Sequence, residues 1–101
     1  MKLHEIAHGR AGDKGDISNI SVIAYRPGDW PLIEAEVTAE KVAALFDRKV
    51  SVTRHVLPQL QALNFVITGA LPGGVTRSLA LDAHGKALAF AVLDMEIGAR
   101  P

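Results

Sequence analysis

The sequence predicts an α+β fold, a two-layer sandwich with helices packed on one face of a mostly antiparallel sheet. Three observations point there. Short alternating apolar runs, such as residues 18–25 and 52–57, recur along the chain as strands do. Between them, residues 30–49 carry Val42, Leu45 and Phe46 at helical spacing. The chain has 101 residues, one domain's worth with a single core, so strands and helical stretches that segregate along it pack as two layers. The domain is taken as residues 1–101.

Element by element, residues 3–8 read as a short strand of mixed alternation. It runs into Gly9-Arg10-Ala11-Gly12-Asp13-Lys14-Gly15-Asp16, where no apolar side chain exceeds alanine and glycine recurs, the composition of a loop. In residues 18–25, Ile20, Val22 and Ala24 share one face and Ser21, Ile23 and Tyr25 the other, the clearest strand in the chain. Arg26-Pro27-Gly28 ends it. Asp29 then stands as an N-cap, with Trp30 and Pro31 in the first helical turn, where a missing N–H costs nothing. Thr38 reads as a second N-cap, so the helical region over 30–49 is expected to break near it. Residues 52–57 form a strand ended by Pro58, and 64–68 form another, closed by Pro72-Gly73-Gly74. Leu79 and Leu81 on one face suggest a strand over 76–81. Two readings remain for residues 83–95. Asp82 caps a helix carrying Leu88, Ala91, Val92 and Met95, or Asp82-Ala83-His84-Gly85 turns a hairpin into a final strand. The alanine-rich composition and the spacing favour the helix.

Composition removes several functions. Eleven Lys and Arg balance eleven Asp and Glu, which argues against binding nucleic acid or an anionic membrane, since both need a basic field. There is no cysteine, so disulfides, Cys-ligated zinc, iron–sulfur clusters and thiol catalysis are excluded. The N-terminus lacks the apolar core of a signal peptide, and the longest apolar run, residues 87–93, falls far short of the ~18–20 residues needed to span a bilayer. A cytoplasmic location is the expectation.

Two polar, glycine-bearing segments stand out, residues 10–19 and 71–78. Each joins glycines to an arginine and small hydrogen-bonding side chains, a combination that can present backbone N–H groups and a guanidinium to an anion. The first is neither a Walker A loop nor a dinucleotide fingerprint, because Lys14 precedes Gly15 and the glycines fall at 9, 12 and 15. The bland alternative is that the glycines make tight turns and Asp13 and Asp16 bond their own backbone. These aspartates are too few for a calcium loop, and His4 and His8, ~13 Å apart along one strand, are too distant to share a metal. No metal or cofactor is expected. His8, at the mouth of the first segment, is a conceivable general base, while His55 reads as a strand-face residue and His84 as a turn residue. No serine lies in a nucleophile elbow, and Trp30 and Phe46 read as core.

The runs 7–16 and 19–24, with Leu60-Gln61-Ala62-Leu63-Asn64-Phe65 and Gly69-Ala70-Leu71-Pro72-Gly73-Gly74-Val75-Thr76-Arg77-Ser78-Leu79, resemble the AtuA-like family. This is the small domain at the C-terminus of acyclic terpene utilisation proteins, which also occurs as a separate polypeptide. The resemblance spans nearly the whole chain and implies a ferredoxin-like α+β fold. It links the chain to catabolism of acyclic terpenoids and branched acids through acyl-CoA thioesters. It brings no assigned catalytic residue. The matching motif positions are Arg10, Gly12, Asp13, Lys14, Gly15, Asp16 and Asn19, then Asn64, Gly73, Gly74, Thr76 and Arg77, and these are the candidate ligand-binding residues. Ala11 departs from the serine common in the family, which removes a hydroxyl from the motif.

Two functions stand as expectations. In the first, the domain is an accessory or assembly subunit, forming a homo-oligomer or a complex with a larger AtuA-type protein, and its two segments complete an acyl-CoA-related site. In the second it is an independent hydratase or isomerase of an unsaturated acyl-CoA, with His8 or Asp13 as base and Lys14 or Arg77 holding an enolate or phosphate. The two segments are expected side by side at one end of the sheet, with Arg10 or Arg77 in reach of Asp13 or Asp16.

Overall fold

A computed structural model describes residues 1–14, 17–46, 50–68 and 86–98, with 13, 14 and 86–88 as backbone only. The fold is α+β. Four strands, β1 (Ala7–Lys14), β2 (Ile17–Ala24), β3 (Ser51–Leu57) and β4 (Ala62–Thr68), form a sheet in the order β1-β2-β4-β3, and every neighbouring pair is antiparallel. Three helices, α1 (Trp30–Glu36), α2 (Ala39–Ala44) and α3 (Lys86–Leu93), pack on a single face of that sheet. Alternation decides the face. Ile20 and Val22 of β2 and Leu63, Phe65 and Ile67 of β4 are buried against Ile33, Val37, Val42, Phe46 and Val92.

The N-terminal segment corrects the sequence reading. Residues 3–8 are not one strand: Leu3–Glu5 is a 3-10 turn, and the strand is Ala7–Lys14. Leu3 and Ile6 both enter the core, a three-residue spacing that a turn satisfies and a strand does not. The Glu5 carboxylate accepts the Lys2 N–H at 2.7 Å and closes the turn. The expected loop is therefore largely strand, with only residues 15 and 16 between β1 and β2. Its small residues serve packing. A Cβ on Gly9 would stand 2.8 Å from the Ser21 carbonyl oxygen and 3.5 Å from a Leu93 methyl, so glycine lets α3 and β2 close on this strand.

The break in the helical region falls where Thr38 marks it. The Thr38 hydroxyl accepts the Lys41 N–H at 3.2 Å and starts α2. Arg54 of β3 holds the end of α1: its Nη1 donates to the carbonyl oxygens of Glu34 at 2.7 Å and Val37 at 2.9 Å. A cation on the last carbonyls of a helix also complements its dipole. Asp29 occupies the N-cap position of α1 but makes no capping bond with its side chain; a 3-10 turn, Pro27–Asp29, leads into the helix instead. Residues 47–49, at the end of the expected helix, lie outside the described residues, as does the expected strand over 76–81. Helix wins over strand in the C-terminal stretch, and it ends at Leu93, so the buried Met95 lies beyond it rather than belonging to it.

The two ends of the chain meet. Met1 and Ile97 exchange hydrogen bonds at 3.0 and 2.8 Å, and Leu3 donates to the Met95 carbonyl at 2.9 Å. Glu36 fastens the next residue along, accepting the Gly98 N–H at 2.7 Å and pairing with Lys41 at 3.4 Å.

This packing makes two predictions. Gly9→Ala is expected to cost about 1–3 kcal/mol through overpacking. Gly12→Ala, whose Cβ would meet nothing within 4 Å, is expected to be neutral or to stabilise by a few tenths of a kcal/mol. Urea unfolding of both variants checks the contrast. The second concerns pH. The Glu36 carboxyl is held below its ordinary value of 4.5, chiefly by the Gly98 N–H and then by Lys41. The fold therefore favours the ionised form. Its contribution is fully present above pH 4.5 and is lost as pH falls through the lower folded value. Glu36→Gln is expected to be less stable than the wild type at neutral pH, with the gap narrowing as pH falls below 4.5; a gap that ignores pH contradicts the assignment.

Candidate functional site

Antiparallel register turns scattered sequence positions into rows on the outer face of the sheet, the face that no described helix covers. One row reads Arg10, Ser21, Asn64, His55 across the four strands; the next reads Gly12, Asn19, Val66, Thr53. Arg10, Gly12 and Asn19, three of the expected ligand-binding residues, are exposed here, and Asn64 is partly exposed.

Asn64 organises the centre of this face. Its Nδ2 donates to the Asn19 Oδ1 at 2.5 Å and to the Ser21 Oγ at 3.0 Å, tying β4 to β2 through side chains as well as backbone. Among the described residues, that leaves the Asn64 side-chain carbonyl oxygen, the Asn19 amide nitrogen and the Ser21 hydroxyl hydrogen for an incoming partner. Arg10 stands at one end of the row without an ion pair or hydrogen bond among the described residues, and exposed His55 stands at the other. Gly12 has neither a positive φ nor a crowding neighbour to require glycine, so it opens a notch beside Asn19.

The surround is apolar. Ile17, Tyr25 and Leu57 are exposed on the same face, and the His8 ring stacks on Tyr25 with centroids 5.0 Å apart. His4 sits in the N-terminal turn, so the two histidines do not share a strand as expected. Among the described residues no group of three or more His, Asp or Glu could hold a metal ion. No described helix is long and apolar enough to cross a membrane.

Asp13 and Lys14 lie opposite Ser18 and Ile17 in the backbone register. Gly15, Asp16, Gly73, Gly74, Thr76 and Arg77 lie outside the described residues, and with them the expected meeting of the two segments. Thr68, the last residue of β4, pairs with Ile17, next to Lys14, so the chain leaves β4 at the end of the sheet where β1 passes to β2. Sequence reasoning singled out Asn64 and Asn19 but missed Ser21 and His55 as their neighbours. The signal was present: two-residue alternation plus antiparallel pairing places all four on one face.

On the opposite face, Ser18 is buried and its hydroxyl has no partner among the described residues. An unmet buried hydroxyl costs about 1–3 kcal/mol. Ser18→Ala is thus expected to leave stability unchanged or raise it by about 1 kcal/mol; a clear loss of stability in thermal unfolding shows the hydroxyl to be engaged.

The family model of the AtuA ferredoxin-like domain matches residues 1–98. No curated protein and no solved structure matches the chain.

Proposed function

The chain belongs to the AtuA ferredoxin-like domain family, and from that premise we propose that it is an accessory or assembly subunit of a larger AtuA-type protein. Its place of action is the cytoplasmic breakdown of acyclic terpenoid or branched acyl-CoA compounds. The outer sheet face docks on the partner, and the two polar, glycine-bearing segments contribute to an interface or anion-binding site there. Within that reading Arg10, Gly12, Asn19 and Asn64 act on the face itself. Asp13, Lys14, Gly15, Asp16, Gly73, Gly74, Thr76 and Arg77 act at the sheet end from which the second segment departs. A self-complex through the same face is the homo-oligomeric form of this function.

The observation that carries the reading is the hydrogen-bonded Asn19–Ser21–Asn64 centre, set between exposed apolar flanks on a face that no described helix covers. A polar centre with fixed geometry and an apolar surround is what a docking surface offers. Amides and a hydroxyl hold and orient; they do not exchange protons near neutral pH, as a hydratase or isomerase requires. The ring of His8 lies against Tyr25, which suits contact more than base catalysis.

Co-purification with a larger AtuA-type protein tests the function. A stable complex at micromolar concentration is expected. Asn64→Arg places a cation at its centre and should abolish the complex while leaving the isolated chain folded. A chain that stays monomeric and ignores such a protein contradicts the proposal.

A further inference from the structure

The outer face of the sheet is one-sided in charge. The chain carries eleven Asp and Glu, yet none occupies an outer position of the four strands. Asp13, the one acid within those strands, has Ser18 of the buried set as its register partner. Basic residues do stand on this face: His8 and Arg10 on β1 and His55 on β3. We infer that the face docks an acidic surface of a different protein chain, with Arg10, Ser21 and Asn19 together taking the carboxylate of one Asp or Glu side chain. The inference rests on the docking function and names the chemistry of the partner.

The hydrogen bonds within the face point the same way. Asn64 Nδ2 donates to the Asn19 Oδ1 at 2.5 Å and to the Ser21 Oγ at 3.0 Å. The first bond occupies the amide oxygen of Asn19 and leaves its N–H groups free among the described residues; the second leaves the Ser21 hydroxyl as a donor. Together with the Arg10 guanidinium, the β1–β2 half of the face therefore offers donors. A carboxylate accepts hydrogen bonds and donates none.

Register brings the three donors around one spot. Arg10 and Ser21 are direct partners across β1 and β2, with Cα atoms about 4.5–5.5 Å apart and side chains on the same side of the sheet. Asn19 is the next outer residue along β2, about 7 Å from Ser21. Its own partner on β1 is Gly12, which puts no side chain in the way. Arg10 is exposed and has no ion pair or hydrogen bond among the described residues, so no described acid has to be displaced from it. The pairing acts at contact: a planar guanidinium fork beside a hydroxyl selects a carboxylate by geometry. Exposed Ile17 and Tyr25 on the same face supply apolar contact that keeps water from the pair.

A second copy of this chain does not meet that requirement. Two copies joined through this face bring Arg10 and two histidines from each side, and no carboxylate from an outer sheet position of either. Like charges brought together across an interface disfavour the complex.

Calorimetry with the full chain and the larger AtuA-type protein tests the inference. Arg10→Gln is expected to weaken the complex about tenfold and Arg10→Glu about a hundredfold. Unchanged thermal unfolding establishes that both variants are folded. Exposed Asp and Glu residues of the larger protein are then exchanged for Lys one at a time. One exchange should restore binding of Arg10→Glu and weaken binding of the wild type. A complex that both Arg10 variants form as tightly as the wild type, or a full set of exchanges that restores nothing, overturns the inference and leaves the docking function standing. A dimer of the isolated chain in sedimentation that Asn64→Arg dissolves overturns it too, and keeps that function in its homo-oligomeric form. A wild-type chain that stays monomeric and ignores the larger protein refutes the docking function and the inference with it.

Discussion

The closeness of α3 to the sheet is the constraint on which the rest of the arrangement depends. It exists because the core-side positions of β1 whose side chains are described are Ala7, Gly9 and Ala11, with almost no side chain between strand backbone and helix. With α3 seated there and α1 and α2 on the β3 side, every described helix lies on one face. The other face then stays uncovered, and the N- and C-terminal segments are brought together beyond the end of α3, where Leu3 bonds Met95. A bulkier residue at position 9 would push on the Ser21 carbonyl and so disturb the same β2 residue whose hydroxyl joins the Asn64 centre. Core packing and the candidate site are coupled through one residue.

Much of this was legible in the sequence. Strands with strong alternation, around Ile20–Val22 and Val52–Val56, were found nearly to the residue, and Thr38 marked the helix break because its capping chemistry is local. The failures share one cause. Residues 9–14 look like a loop because glycine and alanine carry little strand preference of their own; their strand is imposed by β2 on one side and α3 above. Residues 3–5 look like strand because Leu3 and Ile6 are apolar, and only their joint burial reveals the turn. Of the candidate site, the residue identities at positions 10, 12, 19 and 64 were readable, but their common face was not, since it depends on a register that pairs residues more than forty positions apart.

The chemical character of the centre of the outer face is set by neutrality. Its central groups are amides and a hydroxyl, the one arginine or lysine in the central row is Arg10, and aromatic and aliphatic side chains flank it. Such a surface gains little from long-range attraction, since steering needs a field. Its specificity rests on short-range fit: the direction of each donor and acceptor around Asn64, and the notch at Gly12.

Arg54 leaves an asymmetric trace in how this fold can vary. Its side chain serves two main-chain oxygens, those of residues 34 and 37, so the partners contribute no side-chain identity to the contact. Glu34 can change freely as far as this bond is concerned, and Val37 answers only to the core. Position 54 has no such latitude: lysine has the charge but lacks the planar guanidinium whose Nη1 reaches both carbonyls at once. Among diverging relatives the tie between sheet and helix would thus be visible as a constraint at a single site, with no compensating change elsewhere, and methods that look for paired substitutions would pass over it.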